Sequence, residues 1–253
     1  MSPTATLLGF GLLVKGCFAR NFLRKPIRAF WNQILLPSAV ICFVALLDTG
    51  TPGRTAWPMI AIGGAVWLLF ANSVNYGGMV LSQERWLLRQ SVVPPWLLLA
   101  AAAVVPIGLY AVHLSLIHLA LRVSSFSRGG TSVETVLAGA IAAAFGLGAG
   151  VIAARLTGFR PSFAFALPKL LLASLVLTPV FYRPSALDGL KDAWCSVNPL
   201  CVATELARTG ISFPSEALPR HAVAVACAVS AAILCWGVFT LSVPSPSFAD
   251  EHA

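Results

Sequence analysis

Within the long apolar stretches, the best candidates for a metal or acid–base site are two histidines, His113 and His118. They are five residues apart, which turns a helix by about 140°, so one metal ion is not expected to reach both. The acidic residues nearest to apolar stretches, Asp48, Glu84 and Glu134, border those stretches, where their carboxylates reach water. The sequence has no His-Glu-x-x-His segment, in which one helix face carries two zinc ligands and a base. These patterns predict neither catalytic residues nor a metal site.

Nucleotide hydrolysis is a second chemistry to consider, because it drives many membrane pumps. It requires a glycine-rich loop followed by Lys and Ser or Thr, whose backbone N–H groups hold the phosphates. The sequence contains no G-x-x-x-x-G-K-[ST] segment. We therefore expect no enzyme activity and no cofactor in this chain, and any ATP hydrolysis would come from a separate protein.

The six cysteines contain no C-x-x-C pair. Four lie in or beside apolar stretches and are interpreted as small core residues: Cys17, Cys42, Cys227 and Cys235. The other two, Cys195 and Cys201, lie in the longest polar segment. A disulfide between them is conceivable if that segment faces an oxidising compartment, and the sequence leaves this open.

The composition excludes an ordinary soluble domain. Of 253 residues, 58% are hydrophobic and 10% are charged, whereas a soluble domain has about 45–50% and about 25%. The net charge of +8 would suggest a nucleic-acid partner in a soluble protein. In a membrane protein its meaning depends on where the positive residues lie, and we predict no nucleic-acid partner.

Six apolar stretches are long enough to cross a bilayer, which takes about 20 residues. They are Phe30 to Leu47, Trp57 to Val80, Trp96 to Leu121, Val133 to Ala154, Phe163 to Phe181 and Ala222 to Val243. The predicted fold is therefore an all-α polytopic membrane protein with six transmembrane helices over residues 30–243.

The N-terminal segment, residues 1–29, is predicted to lie on the membrane surface. Its apolar residues between Leu7 and Lys25 recur on one helical face and its basic residues lie elsewhere, which is typical of an interfacial amphipathic helix. If the N-terminus is on the cytoplasmic side, the segments on that side hold nine Lys and Arg residues, and the segments on the outer side hold seven. Because cytoplasmic loops carry the excess, both termini, including the tail at 244–253, are predicted to be cytoplasmic.

The segment from Leu81 to Pro95 joins the second and third predicted spans on the cytoplasmic side. It reads as a short amphipathic helix ended by Pro94 and Pro95. Such a helix, with apolar residues around Trp86 beside Glu84, is suited to dock in a groove on a partner protein. A plain loop with an interfacial tryptophan fits the composition equally well.

The outer segment from Tyr182 to Arg220 is longer than a simple turn requires. It contains Trp194, Asn198, Pro199 and a helix-like polar stretch around Glu205 and Arg208. It is interpreted either as a re-entrant element over about 183–220, tolerated where protein or water surrounds it, or as an ordinary surface loop. In the fourth span, Gly146-x-x-x-Gly150 permits close helix approach and is a candidate contact between subunits.

Several strings appear together in the order typical of one family. They are I-G-G-A-V-W-L-L-F-A-N-S (Ile62 to Ser73), Q-E-R-W-L-L and V-V-P-P, then T-P-V-F-Y (Thr178 to Tyr182) and N-P-L (Asn198 to Leu200). With an amphipathic N-terminal helix and an aromatic-rich first span, the chain resembles the permease subunits of type 2 ABC exporters. Within that class it looks like those that export capsule and O-antigen polysaccharides.

The resemblance implies a multi-pass protein of the bacterial inner membrane, with two copies of this chain and two copies of a separate ATPase that binds ATP and Mg. It assigns the ATPase-coupling helix to Ser82, Gln83, Glu84, Arg85, Trp86 and Arg89. The N-terminal helix would lie beside the ATPase. The re-entrant residues would be Trp194, Asn198, Pro199 and Arg208.

Aromatic residues would then line the route of the sugar, because sugar rings present apolar CH faces that stack on aromatic planes. The candidates are Trp31, Trp67, Phe70, Tyr76, Phe181 and Tyr182. Polar residues such as Asn72, Ser73 and Asn75 give a mild indication of a polar path. The alternatives are an exporter of a smaller amphiphile, such as a drug or glycolipid, a membrane enzyme, and a non-transporting anchor subunit.

Overall fold

In the computed structural model the described residues are 3–18, 39, 56–83, 93–123, 133–159, 162–182, 191–211 and 218–243. Every regular element among them is an α-helix. Numbered in chain order, the helices are α1 (Pro3–Phe18), α2 (Ala56–Gln83), α3 (Pro95–Val123), α4 (Val133–Phe159), α5 (Ser162–Leu177), α6 (Lys191–Val197), α7 (Pro199–Gly210) and α8 (Arg220–Ser242). The predicted all-α class is confirmed for these parts of the chain.

Four helices are long and apolar enough to cross a membrane. The qualifying segments are Trp57–Val80, Pro95–Arg122, Val133–Thr157 and Arg220–Ser242, in α2, α3, α4 and α8. They coincide with the second, third, fourth and sixth predicted spans, and they support a membrane protein. The first predicted span, Phe30 to Leu47, lies outside the described residues apart from Ala39.

The fifth predicted span, Phe163 to Phe181, is shorter in the structure than in the prediction. α5 has 16 residues and ends at Leu177, so it is about 24 Å long, less than the hydrocarbon thickness of about 30 Å. It ends there because the residue before a proline disfavours the α conformation, and Thr178 precedes Pro179. The backbone N–H and the hydroxyl of Thr178 both donate to the carbonyl oxygen of Ser174, at 2.9 and 2.7 Å.

Two hydrophobic clusters define the two ends of the helix bundle. The first joins the early turns of α2, α4 and α8 to the last turns of α3 and to α7; its members include Ile62, Ala138, Ala222, Leu121 and Leu206. The second joins the late turns of α2, α4 and α8 to the first turns of α3, through Val80, Val151, Leu241 and Leu98. α2, α4 and α8 therefore run in one direction and α3 in the other. We call α6 and α7 together the hairpin, the end of the bundle that holds them the hairpin end, and the other end the opposite end.

The N-terminal helix lies toward the opposite end. Leu13 of α1 packs against the second cluster, and Lys15 is exposed. The helix begins at Pro3, four residues before the predicted start, and the predicted residues beyond Phe18 lie outside the described ranges. At the same end, Arg155 Nη1 donates to the carbonyl oxygen of Val243 at 3.0 Å, which joins α4 to the end of α8.

The predicted coupling segment begins as a continuation of α2. Ser82 and Gln83 lie in the last turn of that helix, not in a separate one, because no proline interrupts the chain between Pro58 and Gln83. Glu84, Arg85, Trp86 and Arg89 lie outside the described residues. Pro94 and Pro95 mark the start of α3, since Pro95 is its first residue and needs no backbone N–H there.

Glycines allow α4 to contact α2 and α8 at backbone distance. A Cβ atom added at Gly150 would overlap the carbonyl oxygen of Val74, and one at Gly146 would lie 2.7 Å from that of Phe70. On the other side of α4, a Cβ at Gly237 would lie 2.9 Å from the Cα of Gly148. The Gly146-x-x-x-Gly150 segment therefore serves a contact within the chain, where it was predicted as a candidate contact between subunits.

Candidate functional site

The most unusual element is α7, a helix that is too short to cross a membrane yet is buried among helices that can. Its 12 residues span about 18 Å, and every one of them except Thr209 is buried. It packs against α2, α4 and α8 at the hairpin end. Asn198 caps its start by accepting the backbone N–H of Leu200 at 3.0 Å, and Pro199 is its first residue.

A buried ion pair links α7 to its neighbours. Glu205 and Arg208 are each about 1% exposed, and Arg208 Nη1 donates to Glu205 Oε1. Arg208 Nη2 donates to the carbonyl oxygens of Pro179 at 2.5 Å and of Met59 at 3.3 Å. A planar guanidinium with five N–H groups suits such a site, because it bonds several acceptors at once. One side chain thus connects α7, the residues after α5 and the start of α2.

A glycine of α2 makes room for this arginine. A Cβ atom added at Gly63 would lie 3.3 Å from Arg208 Nη2 and 3.0 Å from the Cα of Val180. Gly63 belongs to the I-G-G string of the second span. The string therefore has a packing role at this position.

The contacts of Arg208 are one anchor of the hairpin. A second anchor is the carbonyl oxygen of Leu177, the last residue of α5. It accepts hydrogen bonds from three side chains: Tyr182 Oη at 3.1 Å, Trp194 Nε1 at 3.1 Å and Asn198 Nδ2 at 3.4 Å. The carbonyl groups of a final helical turn have no partner within their own helix, so this oxygen is open to them. Burial raises the pKa of the Tyr182 hydroxyl above its ordinary value.

Cys195 and Cys201 are joined by a disulfide, which settles the pairing that the sequence left open. Their Cα atoms are 5.3 Å apart, within the usual range for a bridge. Both residues are buried. The bridge ties α6 to the first turn of α7 and encloses Asn198.

The predicted aromatic path divides into buried and accessible residues. Phe70 stacks on Phe145 with ring centroids 5.5 Å apart, and Tyr76 is buried in the second cluster. Trp67 is half-buried and donates from Nε1 to Ser174 Oγ at 3.1 Å, which joins α2 to α5. Phe181 is 52% exposed and Tyr182 is half-buried. Trp31 lies outside the described residues.

A polar stripe lies on the more accessible face of α2. Asn72 is half-buried and Asn75 is exposed, and their i, i+3 spacing puts both on one face with Leu68 and Met79. Ser73, on the other side, is fully buried. An exposed amide within a span is costly in hydrocarbon, so this face is suited to contact water, a polar ligand or another protein.

The two histidines have separate surroundings. The Nδ1 atom of His113 lies 2.8 Å from the carbonyl oxygen of Leu109, and His118 Nε2 accepts from Arg122 Nε at 3.1 Å. Both histidines lie on α3, and each is bound to a residue four positions away in that helix. Within the described ranges, no group of three His, Cys, Asp or Glu side chains is placed to hold a metal ion.

No protein-family model matches the chain, and no curated protein matches it in sequence.

Sequence reasoning found most of these side chains but not their partners. Trp194, Asn198, Glu205 and Arg208 were singled out, and the structure brings all four into one hairpin. Their acceptors include backbone carbonyl oxygens of α5 and α2. Every residue has such an oxygen, so the sequence does not show which of them accepts a hydrogen bond. Ser174, the partner of Trp67, was missed because a single serine in an apolar stretch is common.

Asn198 offers a test of the hairpin anchors. Replacing it by leucine is expected to lower the melting temperature of the purified protein, because both the cap of α7 and one hydrogen bond to Leu177 are lost. Loss of a cap alone costs about 1 kcal/mol. Thr209→Leu is the matched control, since Thr209 is the one exposed residue of the same helix. Equal shifts in the two variants would mean that the hairpin is a simple connector.

Proposed function

We propose that this chain is the membrane-spanning subunit of an ATP-driven exporter of the type 2 ABC class. In this proposal it acts as a homodimer with two separate ATPase subunits in the bacterial inner membrane, with both termini in the cytoplasm. The cargo is a polysaccharide such as capsule or O-antigen, carried as a lipid-linked chain. ATP and Mg bind to the partner ATPase, which supplies the hydrolysis.

The observation that carries the proposal is the burial of the short helix α7 among membrane-length helices. Helices that stop part-way through the membrane are tolerated where protein or a water-filled cavity surrounds them, and transport proteins use them to shape a path. α7 meets this condition, because α2, α4 and α8 enclose it. The family resemblance of the strings in α2, after α5 and at Asn198 supports the same function.

Within this proposal, the accessible residues of α2 and the segment after α5 are the best candidates for contact with the cargo. Asn72 and Asn75 supply amide groups for sugar hydroxyls. Trp67 and Phe181 supply partly accessible rings for the apolar faces of sugars. Phe70 and Tyr76 are assigned to packing, because their rings are buried between helices.

The coupling role is assigned to the segment that continues α2 at the opposite end. α2 leads from the hairpin end to Ser82 and Gln83 at the opposite end, and Glu84 to Arg89 come next in the sequence. In the proposed assembly this is the cytoplasmic side, where the ATPase binds. The N-terminal interfacial helix is proposed to lie on the same side, as the contact of Leu13 with the second cluster suggests.

The test is co-purification of the tagged chain with its ATPase from mild detergent, combined with an export assay. Glu84→Ala with Arg85→Ala is expected to leave the protein in the membrane and to abolish surface polysaccharide, because the charged face of the coupling segment is lost. Glu216→Ala with Arg220→Ala removes the same two charges from the predicted outer segment and is the matched control. A chain that purifies without any ATPase, or a double variant with normal export, would contradict the proposal.

A further inference from the structure

The Cys195–Cys201 disulfide lies beside the donors of the Leu177 anchor. Trp194 directly precedes Cys195, and Asn198 lies between the two cysteines. Both Trp194 and Asn198 donate to the carbonyl oxygen of Leu177. The bridge therefore fixes α6, a helix of only seven residues, in the position from which it binds the end of α5.

The other anchor of the hairpin is independent of the bridge. Arg208 lies seven residues after Cys201 and binds the carbonyl oxygens of Pro179 and Met59. Breaking the disulfide would leave this contact in place. The two anchors thus predict a hairpin in which α6 depends on the bridge and α7 does not.

We propose that maturation of this chain includes a thiol oxidation step in which a disulfide-bearing oxidant on the extracytoplasmic side forms the Cys195–Cys201 bridge, and that the bridge holds α6 against the end of α5. The proposal is independent of what the protein transports. Both cysteines are buried once the hairpin has docked, so the step precedes docking.

The chemistry is thiol–disulfide exchange. One cysteine thiolate attacks the disulfide of the oxidant and forms a mixed disulfide, and the first oxidant sulfur leaves as a thiol. The second cysteine thiolate attacks the mixed disulfide at the sulfur of the first cysteine, and the second oxidant sulfur leaves as a thiol. The two cysteines lose two protons and two electrons, and the oxidant takes up both.

This assignment also orients the bundle. Structural disulfides form and persist in oxidising compartments outside the cytoplasm, so the hairpin end faces outward. The last turns of α2, α4 and α8 then face the cytoplasm. The orientation follows from a cross-link, without reference to the count of positive residues.

The first experiment measures the bridge itself in a variant that keeps only Cys195 and Cys201. The remaining cysteines are replaced in Cys17→Ala, Cys42→Ala, Cys227→Ala and Cys235→Ala. Free thiols in denatured membranes are blocked with N-ethylmaleimide, and the sample is then reduced and labelled with a high-mass maleimide. Two added labels per chain are expected, and none from cells grown with a permeant reductant. A mature protein that takes up no label in either condition would overturn the proposal.

The second experiment measures what the bridge holds, by hydrogen exchange of the backbone amides. In Cys195→Ser with Cys201→Ser, exchange over residues 191–197 is expected to rise about tenfold or more, while residues 199–210 change less than about twofold. Cys227→Ser with Cys235→Ser is the control, because these cysteines are free. Unchanged exchange in α6, or an equal rise in α7, would overturn the assigned role of the bridge.

A third variant separates the bridge from the hydrogen bond that it supports. Trp194→Phe keeps both cysteines and removes the Nε1 donor to Leu177. Exchange in α6 is expected to rise by a smaller factor than in the double serine variant, with the two labels per chain retained. A rise as large as that of the double serine variant would show that the disulfide does not hold α6.

Discussion

Replacing Arg208 by methionine is expected to destabilise the protein by about 3–5 kcal/mol, the usual cost of removing one partner of a buried ion pair. The change leaves the Glu205 carboxylate buried without the guanidinium that binds it. It also removes the hydrogen bonds to the carbonyl oxygens of Pro179 and Met59. Thermal unfolding in detergent measures the effect, and we expect loss of the proposed export with it.

Two further variants show whether the charge pair is the cause. Arg220→Met removes the same residue type at the exposed start of α8 and is expected to shift stability by less than about 0.5 kcal/mol. Glu205→Leu combined with Arg208→Met removes both charges, and it is expected to recover much of the lost stability because an apolar pair often replaces a buried ion pair without cost. A double variant no more stable than Arg208→Met would attribute the loss to the carbonyl contacts alone.

Replacing Gly150 by alanine is expected to destabilise the protein by about 1–3 kcal/mol, because the added Cβ atom would overlap the carbonyl oxygen of Val74. The obstruction is backbone, which no rotamer change relieves, so α2 and α4 must move apart. The same shift would disturb Gly77, which approaches the carbonyl oxygen of Leu147 in that contact. The melting temperature and the yield of folded protein measure the change.

Gly108→Ala is the matched control and is expected to have the opposite sign. A Cβ atom at Gly108 on α3 meets nothing within 4 Å. Alanine is favoured over glycine inside a helix by roughly 0.5–1 kcal/mol, so this variant should be slightly more stable than the parent. Equal destabilisation of both variants would mean that helix approach at Gly150 is not required.

The sequence predicted the membrane-length helices well because their signal is simple. A run of about 20 apolar residues is sufficient to identify such a helix, and α2, α3, α4 and α8 match their predicted ranges closely. The end of α5 was missed because hydropathy does not register how Pro179 restricts the residue before it. Apolar composition continues to Phe181, while the helix ends at Leu177.

The hairpin was predicted only in outline. Glu205 and Arg208 were predicted to lie in a helix-like stretch. Charged residues in a loop usually lie on the surface, and the spacing of these two residues does not indicate that both are buried. Their i, i+3 positions do predict that they share a face. The aromatic candidates show the same limit, since Phe70 and Phe181 look alike in sequence and differ only in what the fold packs around them.

The anchors of the hairpin have one property in common: each side-chain donor binds a main-chain oxygen of another segment. Trp194 and Asn198 bind the carbonyl of residue 177, and Arg208 binds that of residue 59. A carbonyl oxygen is present whichever amino acid occupies these two positions. These hydrogen bonds therefore place no constraint on the residue type at position 177, and at position 59 the constraint comes only from the packing of the Met59 side chain in the first cluster. Pairwise covariation among homologous sequences is therefore not expected to reveal these hydrogen bonds, although the bonds help to hold the hairpin in place.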